Sequence, residues 1–455
     1  MDLEMTAGPS FKPSPRGRGR GPGEAWEGEG LRTRRRGPYP LIFPFAARMG
    51  PSFSSWEKVC SVVLLVLALL LTPPLALAAT PRRVLHVSLY PYIPEAPAAA
   101  LALKQGFERA HPDVVVEITF NPHYYDTDPA AKGVLYEDAD VHEIDVVFLG
   151  DFLARHKLAP LPAAFVSSLD PMTPIAAQAA TAGGKVVAVP QWLCSDFLVY
   201  RADETGLASA DTFAAMEAGL GKNGLLMGLA GPGALGELYL SFLMARDGDP
   251  HAALADITPT PDPEIESRIQ RLLALEPAGF GRTAAYQEVE SFYARQFARR
   301  SGGAYVGYSE LIHDALDESA QGCRLEDHCL TADDIRVAPL RLEDGKVRPM
   351  IWVDMFGIDA RVHGRKLTDA EDFVRYAVSL PAYRALLVPE PGGIPRYLLP
   401  ATEAPFHDAA ILAAAPLYPK FRAIVDQGVV VTAPDLQARL HDVAARLDAD
   451  LPKTH

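Results

Sequence analysis

The chain has 455 residues, a formal net charge of -14, 49% apolar residues and 22% charged residues. That much apolar surface excludes both a mini-protein held by disulfides and a wholly disordered chain, and the length allows roughly two or three domains. The acidity argues against nucleic-acid binding, which needs a basic footprint.

Residues 1–48 are rich in Arg, Gly and Pro, as in PRGRGRGPGEAWEGEG and LRTRRRGPYP, and show no helix or strand period. They read as disordered. A basic arm for RNA has the same look, but the text after Met49 favours a true start there. Lys58 precedes an apolar run from Val59 to Leu71, Pro73 and Pro74 break it, and Ala76-Leu77-Ala78 supplies small residues for cleavage. Residues 49–78 therefore read as a secretory signal cut near Ala78–Ala79. The run is shorter than the roughly 20 apolar residues a bilayer span needs. The expectation is a secreted or periplasmic protein with no membrane attachment beyond the signal. Residues 1–78 hold 10 Lys and Arg and 6 Asp and Glu, so the remainder carries a net charge of -18. Such a domain favours cationic or neutral ligands.

Strands are predicted at Val84–Tyr90, Val114–Phe120 and Ile144–Leu149, with a helix at Ala96–His111 and helical composition in DFLARHKLAPL. Pro97 is tolerable because it falls in the first turn of its helix. Val186–Pro190 and Phe197–Tyr200 are extended segments on either side of Cys194. Asp211–Arg299 reads as largely helical, with a Gly-rich turn at 228–236 that lacks the Lys-Ser/Thr of a phosphate-binding loop. Strands return at Ala304–Tyr308 and Met350–Gly357, and helices follow at Asp369–Leu380, from Ala409, and at Asp435–Leu447. This alternation predicts an α/β protein with a parallel sheet. Two lobes with several crossings fit the layout: 84–190 and 310–375 in the first, 191–309 and 376–455 in the second. The segments near Cys194, Tyr308 and Asp354 are the expected crossings. A ligand cleft would lie between the lobes.

Cys60 leaves with the signal, and GCRLEDHC puts Cys323 and Cys329 in one short polar loop, the expected disulfide. Cys194 is left over, as either a buried hydrophobe or a reactive thiol. No His/Cys/Asp cluster has metal spacing and no Gly-x-Ser-x-Gly elbow occurs.

LHVSLYPYIPE at 85–95, VPQWLCSDFLVYR at 189–201, VGYSE at 306–310 and PRYLLPA at 395–401 resemble bacterial thiaminase I (thiamine pyridinylase). That family is a catalytic relative of type II periplasmic binding proteins. The resemblance implies their two-lobed fold, a transferase without a cofactor, thiamine and a nucleophilic amine or thiol base as substrates, and a monomer. It implies that Cys194 is the nucleophile and Glu310 the general base. A thiolate that adds to the electron-poor pyrimidine lets the thiazole leave in an easier second step. A nearby carboxylate in a partly dry cleft can take the thiol proton.

The same resemblance matches Asp145 and Asp354 to carboxylates that suit the aminopyrimidine edge, and Tyr90, Tyr92, Tyr125 and Tyr308 to aromatic positions in the cleft. Asp145 reads equally well as a cap at a strand end. Pro91 makes a shared strand face for Tyr90 and Tyr92 doubtful. Trp352 stands where the family has a tyrosine, and Ser291 lies near the place of another. The rival reading is a non-catalytic solute-binding protein of an ABC importer for thiamine or a related compound, since fold does not fix function.

Overall fold

The computed structural model describes residues 81–222, 224–229, 232–277, 290–322, 329–344 and 348–451. They lie within one unit, Ala79–His455. The basic segment 1–48, the signal at 49–78, part of the Gly-rich turn and Cys323 fall outside the described residues.

A six-stranded sheet is built around β1 (Arg83–Leu89), which pairs in parallel with β2 (Val114–Phe120) and with β3 (Val141–Asp145). Between β1 and β2, α1 (Ala96–Ala110) buries Ala99, Ala100, Leu103 and Phe107, the single stripe that a 3.6-residue period gives. Pro97 sits in its first turn, as expected. The ring of Phe107 meets Phe373 at 5.4 Å, and Phe373 meets Phe356 of the sheet at 6.0 Å. Each such buried ring contributes about 2–3 kcal/mol.

Ile144–Leu149 is not the strand its composition predicts. The strand is VHEID and ends at Asp145; VVFLGDFLA then forms α2 (Val146–Ala154). The Asp145 carboxylate accepts a hydrogen bond from the Val147 N–H at 2.9 Å, so it caps the helix and switches the backbone. Gly150 in α2 lets the helix touch the chain at Ala433, whose carbonyl carbon would lie 2.2 Å from an added Cβ.

β4 (Val189–Cys194) joins the same sheet, and the chain then crosses at Ser195–Asp196. The second sheet begins with β5 (Phe197–Arg201) and adds β6 (Leu225–Met227). β6 lies inside the stretch expected to be helical, which otherwise includes α3 (Pro232–Asp247) and α4 (Glu290–Ala298). β7 (Ala304–Gly307) leads into α5 (Leu311–Gly322) and β8 (Ile335–Pro339). The order of this sheet is β8-β5-β7-β6. Tyr308 follows β7 and precedes α5, so it lies within the second lobe and not at a crossing.

The chain returns to the first sheet with β9 (Trp352–Ile358). Next come α6 (Arg365–Ala377), α7 (Leu380–Leu387) and the short β10 (Leu399–Pro400), giving the order β10-β4-β9-β3-β1-β2. After β10 the chain crosses a third time. α8 (Tyr418–Val425) packs on β8, and α9 (Leu436–Asp450) packs on α3. Sheet membership therefore moves the expected lobe limits. β4 carries the first lobe to Cys194, residues 310–339 belong with the second sheet, and 399–400 belong with the first. The Ser195 Oγ donates to the Met350 carbonyl at 2.9 Å and ties the first crossing to the second. Among the described residues, no helix is long and apolar enough to cross a membrane.

Candidate active site

Three adjacent strands deliver the polar groups. β9 lies antiparallel between β3 and β4, with Asp354 opposite Asp145 on one side and opposite Trp192 on the other. Trp352 lies opposite Cys194. Facing residues of antiparallel strands share a face about 5 Å apart, so Cys194, Trp352, Asp354 and Asp145 form one patch. Glu143, two residues before Asp145, extends it. The Cys194 Sγ approaches Asp354 Oδ2 at 3.8 Å.

Cys194 is a free thiol and is half-buried. Loss of hydration pushes its titration well up. The four charges that act on it most, Glu310, Asp354, Asp145 and Glu237, push the same way. At rest the sulfur holds its proton. Cys329 is disulfide-bonded, and its expected partner Cys323 lies outside the described residues.

The carboxyls carry the same mark. Burial lifts Glu310 to about 7, and Ser309 Oγ lies 3.4 Å from its Oε2. Burial lifts Asp145 to about 6, although Tyr125 Oη donates to its Oδ2 at 2.8 Å. Asp354 is raised well above the usual range by burial and by Asp145, Glu143 and Glu310. All three are at most 6% exposed. Asp145 is thus both a helix cap and a member of the cluster, so the two readings of it coexist.

The tyrosines frame these acids. Tyr90 and Tyr125 join hydroxyls at 3.0 Å. The strand stops at Leu89, so Tyr90 and Tyr92 do not share a strand face. Tyr92 is half exposed and stacks on Tyr125, with ring centroids 5.9 Å apart and planes 13° apart. Tyr308 comes from the second lobe and donates its hydroxyl to Glu237 Oε2 at 2.5 Å.

Three groups escaped the reading of the sequence. Glu143 is 3% exposed, is lifted to about 8 by burial, and accepts the Tyr90 N–H at 2.8 Å. Its signal was the i, i+2 alternation with Asp145 in VHEID. Glu237 lies in a helical stretch with no local motif. Tyr124 is fully buried; its hydroxyl donates to the Glu143 carbonyl at 3.0 Å and accepts the Asp145 N–H at 2.6 Å. Trp352 is 4% exposed, and among the described residues its indole N–H has no hydrogen-bond partner.

Two sheets joined by three crossings, with a thiol and carboxyls at the junction, define a two-lobed α/β protein of the type II periplasmic-binding-protein fold. Maltose- and acarbose-binding receptors share this fold. Within that class the chain is similar to thiaminase I. It is 26% identical to Thiaminase-1 of Paenibacillus thiaminolyticus over 358 residues, 75% of this chain and 81% of that protein. The solved thiaminase I from Bacillus thiaminolyticus superposes with a TM-score of 0.68 at 23% identity, covering 81% of this chain and all of that one. Clostridium botulinum thiaminase I in complex with thiamin gives a TM-score of 0.67 at 20% identity, covering 80% of this chain and 99% of the other. No family model matches the chain.

Proposed function

We propose that the protein is a thiamine pyridinylase, which transfers the pyrimidinylmethyl group of thiamine to an amine or thiol base and releases the thiazole. The observation that carries this reading is the placement of an unpaired thiol, Cys194, among four carboxyls at the lobe junction. A solute-binding protein has no use for such a thiol. The likeness to thiaminase I supports thiamine as the substrate.

The chemistry follows from the charges. A carboxyl cluster that keeps the sulfur protonated also attracts the thiazolium cation, whose arrival offsets the negative field. Glu310 then takes the thiol proton. The thiolate adds to a pyrimidine ring carbon, and the displaced electron pair moves onto a ring nitrogen. That pair returns to expel the thiazole as a neutral base. The acceptor adds to the exposed methylene carbon, the ring regains aromaticity as sulfur departs, and the proton held by Glu310 returns to it. An amine acceptor loses its extra proton to a carboxylate or to water. Asp145 and Asp354 bind the aminopyrimidine edge, and Tyr90, Tyr92, Tyr125 and Tyr308 flank the rings. The mature chain is secreted or periplasmic and acts as a monomer, with Cys323 as the disulfide partner of Cys329.

The test is intact mass after incubation with thiamine and no acceptor. A pyrimidinylmethyl adduct forms on the wild type and is absent from Cys194→Ser. The shared fold of the sugar receptors favours the importer reading as the alternative; tight thiamine binding with no adduct and no turnover with aniline would establish it instead.

A further inference from the structure

The mechanism above does not use a cavity of about 450 Å³ lined by both lobes. One wall is the first lobe: Glu95 at the start of α1, and Gly392 and Gly393 in the loop between α7 and β10. The other wall is α5 of the second lobe, through His313, Asp317 and Gln321, which fall on one face at i, i+4 and i+8. Each wall is joined along the chain to a site residue. The His313 N–H donates to the Glu310 carbonyl at 2.9 Å, and Glu95 follows Tyr92 by three residues.

The chemistry of the lining is specific. Glu95 is neutralised by Arg396, whose Nη2 lies 2.6 Å from its Oε2. Asp317 is half-buried and is held by the Gln321 amide, Nε2 to Oδ2 at 2.7 Å; among the described residues no cation pairs with it. His313 Nδ1 lies 3.3 Å from the Pro395 carbonyl, which accepts only. With Nδ1 donating there, the neutral form of the ring presents Nε2 as an acceptor. A carboxylate and a bare ring nitrogen on one helix face suit a group that donates hydrogen bonds and bears positive charge.

We propose that this cavity seats the acceptor: a nucleophilic amine carrying a second, cationic ammonium group that Asp317 and His313 hold while the nucleophilic nitrogen reaches the methylene carbon. The inference rests on the transferase reading and adds the acceptor's chemical class. The experiment compares aniline with 4-(aminomethyl)aniline, which offers the same nucleophile plus an ammonium, in wild type, Asp317→Asn and His313→Gln. In wild type the ammonium-bearing acceptor has the lower KM. Both variants raise that KM by about 3- to 10-fold, as expected for loss of one half-buried charge contact. The KM for aniline and for thiamine stays unchanged. Equal KM values for the two acceptors in wild type, or equal shifts for both in the variants, overturn the inference while leaving the transferase intact. Absence of transfer to either acceptor, with no adduct on Cys194, overturns the transferase reading and this inference with it.

Discussion

Replacing Glu310 with Gln gives the most informative single perturbation of the cluster. Burial lifts the Glu310 carboxyl from the ordinary 4.5 to about 7. The native state therefore holds a proton that the unfolded chain releases. The consequence for stability has a definite sign. Stability is complete below pH 4.5, falls as pH rises toward 7, and levels off above it. With one pH unit worth about 1.4 kcal/mol, the loss between pH 5 and pH 8 is about 2–3 kcal/mol from this group alone. Gln keeps the shape and cannot ionise. Urea unfolding at pH 5 and pH 8 measures the difference for both proteins, and Glu310→Gln should lose about 2–3 kcal/mol less than wild type. Turnover supplies the second readout: wild type gains activity as Glu310 ionises near pH 7, and the variant drops by about 10²- to 10⁴-fold. An equal stability loss in the two proteins would refute the raised titration. Normal turnover by the variant would refute the assigned role.

Cys194 should alkylate with iodoacetamide at pH 8 more than about 10-fold slower than a free thiol, because its thiolate is disfavoured, and Asp354→Asn should recover part of that rate by removing an acid 3.8 Å from the sulfur. Asp359 is 2% exposed, accepts from the Arg361 Nε at 2.7 Å, and faces His142 Nε2 at 3.4 Å. Asp359→Asn should cost about 2–4 kcal/mol in urea unfolding, with thiamine affinity retained because His142 lies on the sheet face opposite Glu143. Gly150→Ala should cost about 1–3 kcal/mol, since backbone at Ala433 cannot give way to a Cβ; an unchanged thermal midpoint would contradict that contact.

Much of the first sheet was legible from the chain. VVVEITF has the β-branched composition of a strand and forms one, and APAAALALKQGFERA carries its buried stripe at helical spacing. IDVVFL misled because a short apolar run has no period to separate strand from buried helix. The capping bond from Asp145 decided the matter, and composition does not report it. IRVAP hid a strand because Arg336 and Pro339 dilute the apolar signal at the sheet's edge, and LLM hid another because three residues inside helical text are too few to see. In the site, Cys194 and Glu310 stood out by their context, and VPQWLC and VGYSE deliver them to the same junction. Glu237 could not be found: its role arises only when α3 meets Tyr308, a contact between residues 71 apart.

Cys194 and Asp354 stand on paired strands of the first sheet, whereas Glu310, just before α5, and Glu237, in α3, belong to the second lobe. Any rocking of one half against the other leaves the first pair untouched and changes the distance of the second. An opening of that kind would withdraw two negative charges from the sulfur and make its proton easier to lose.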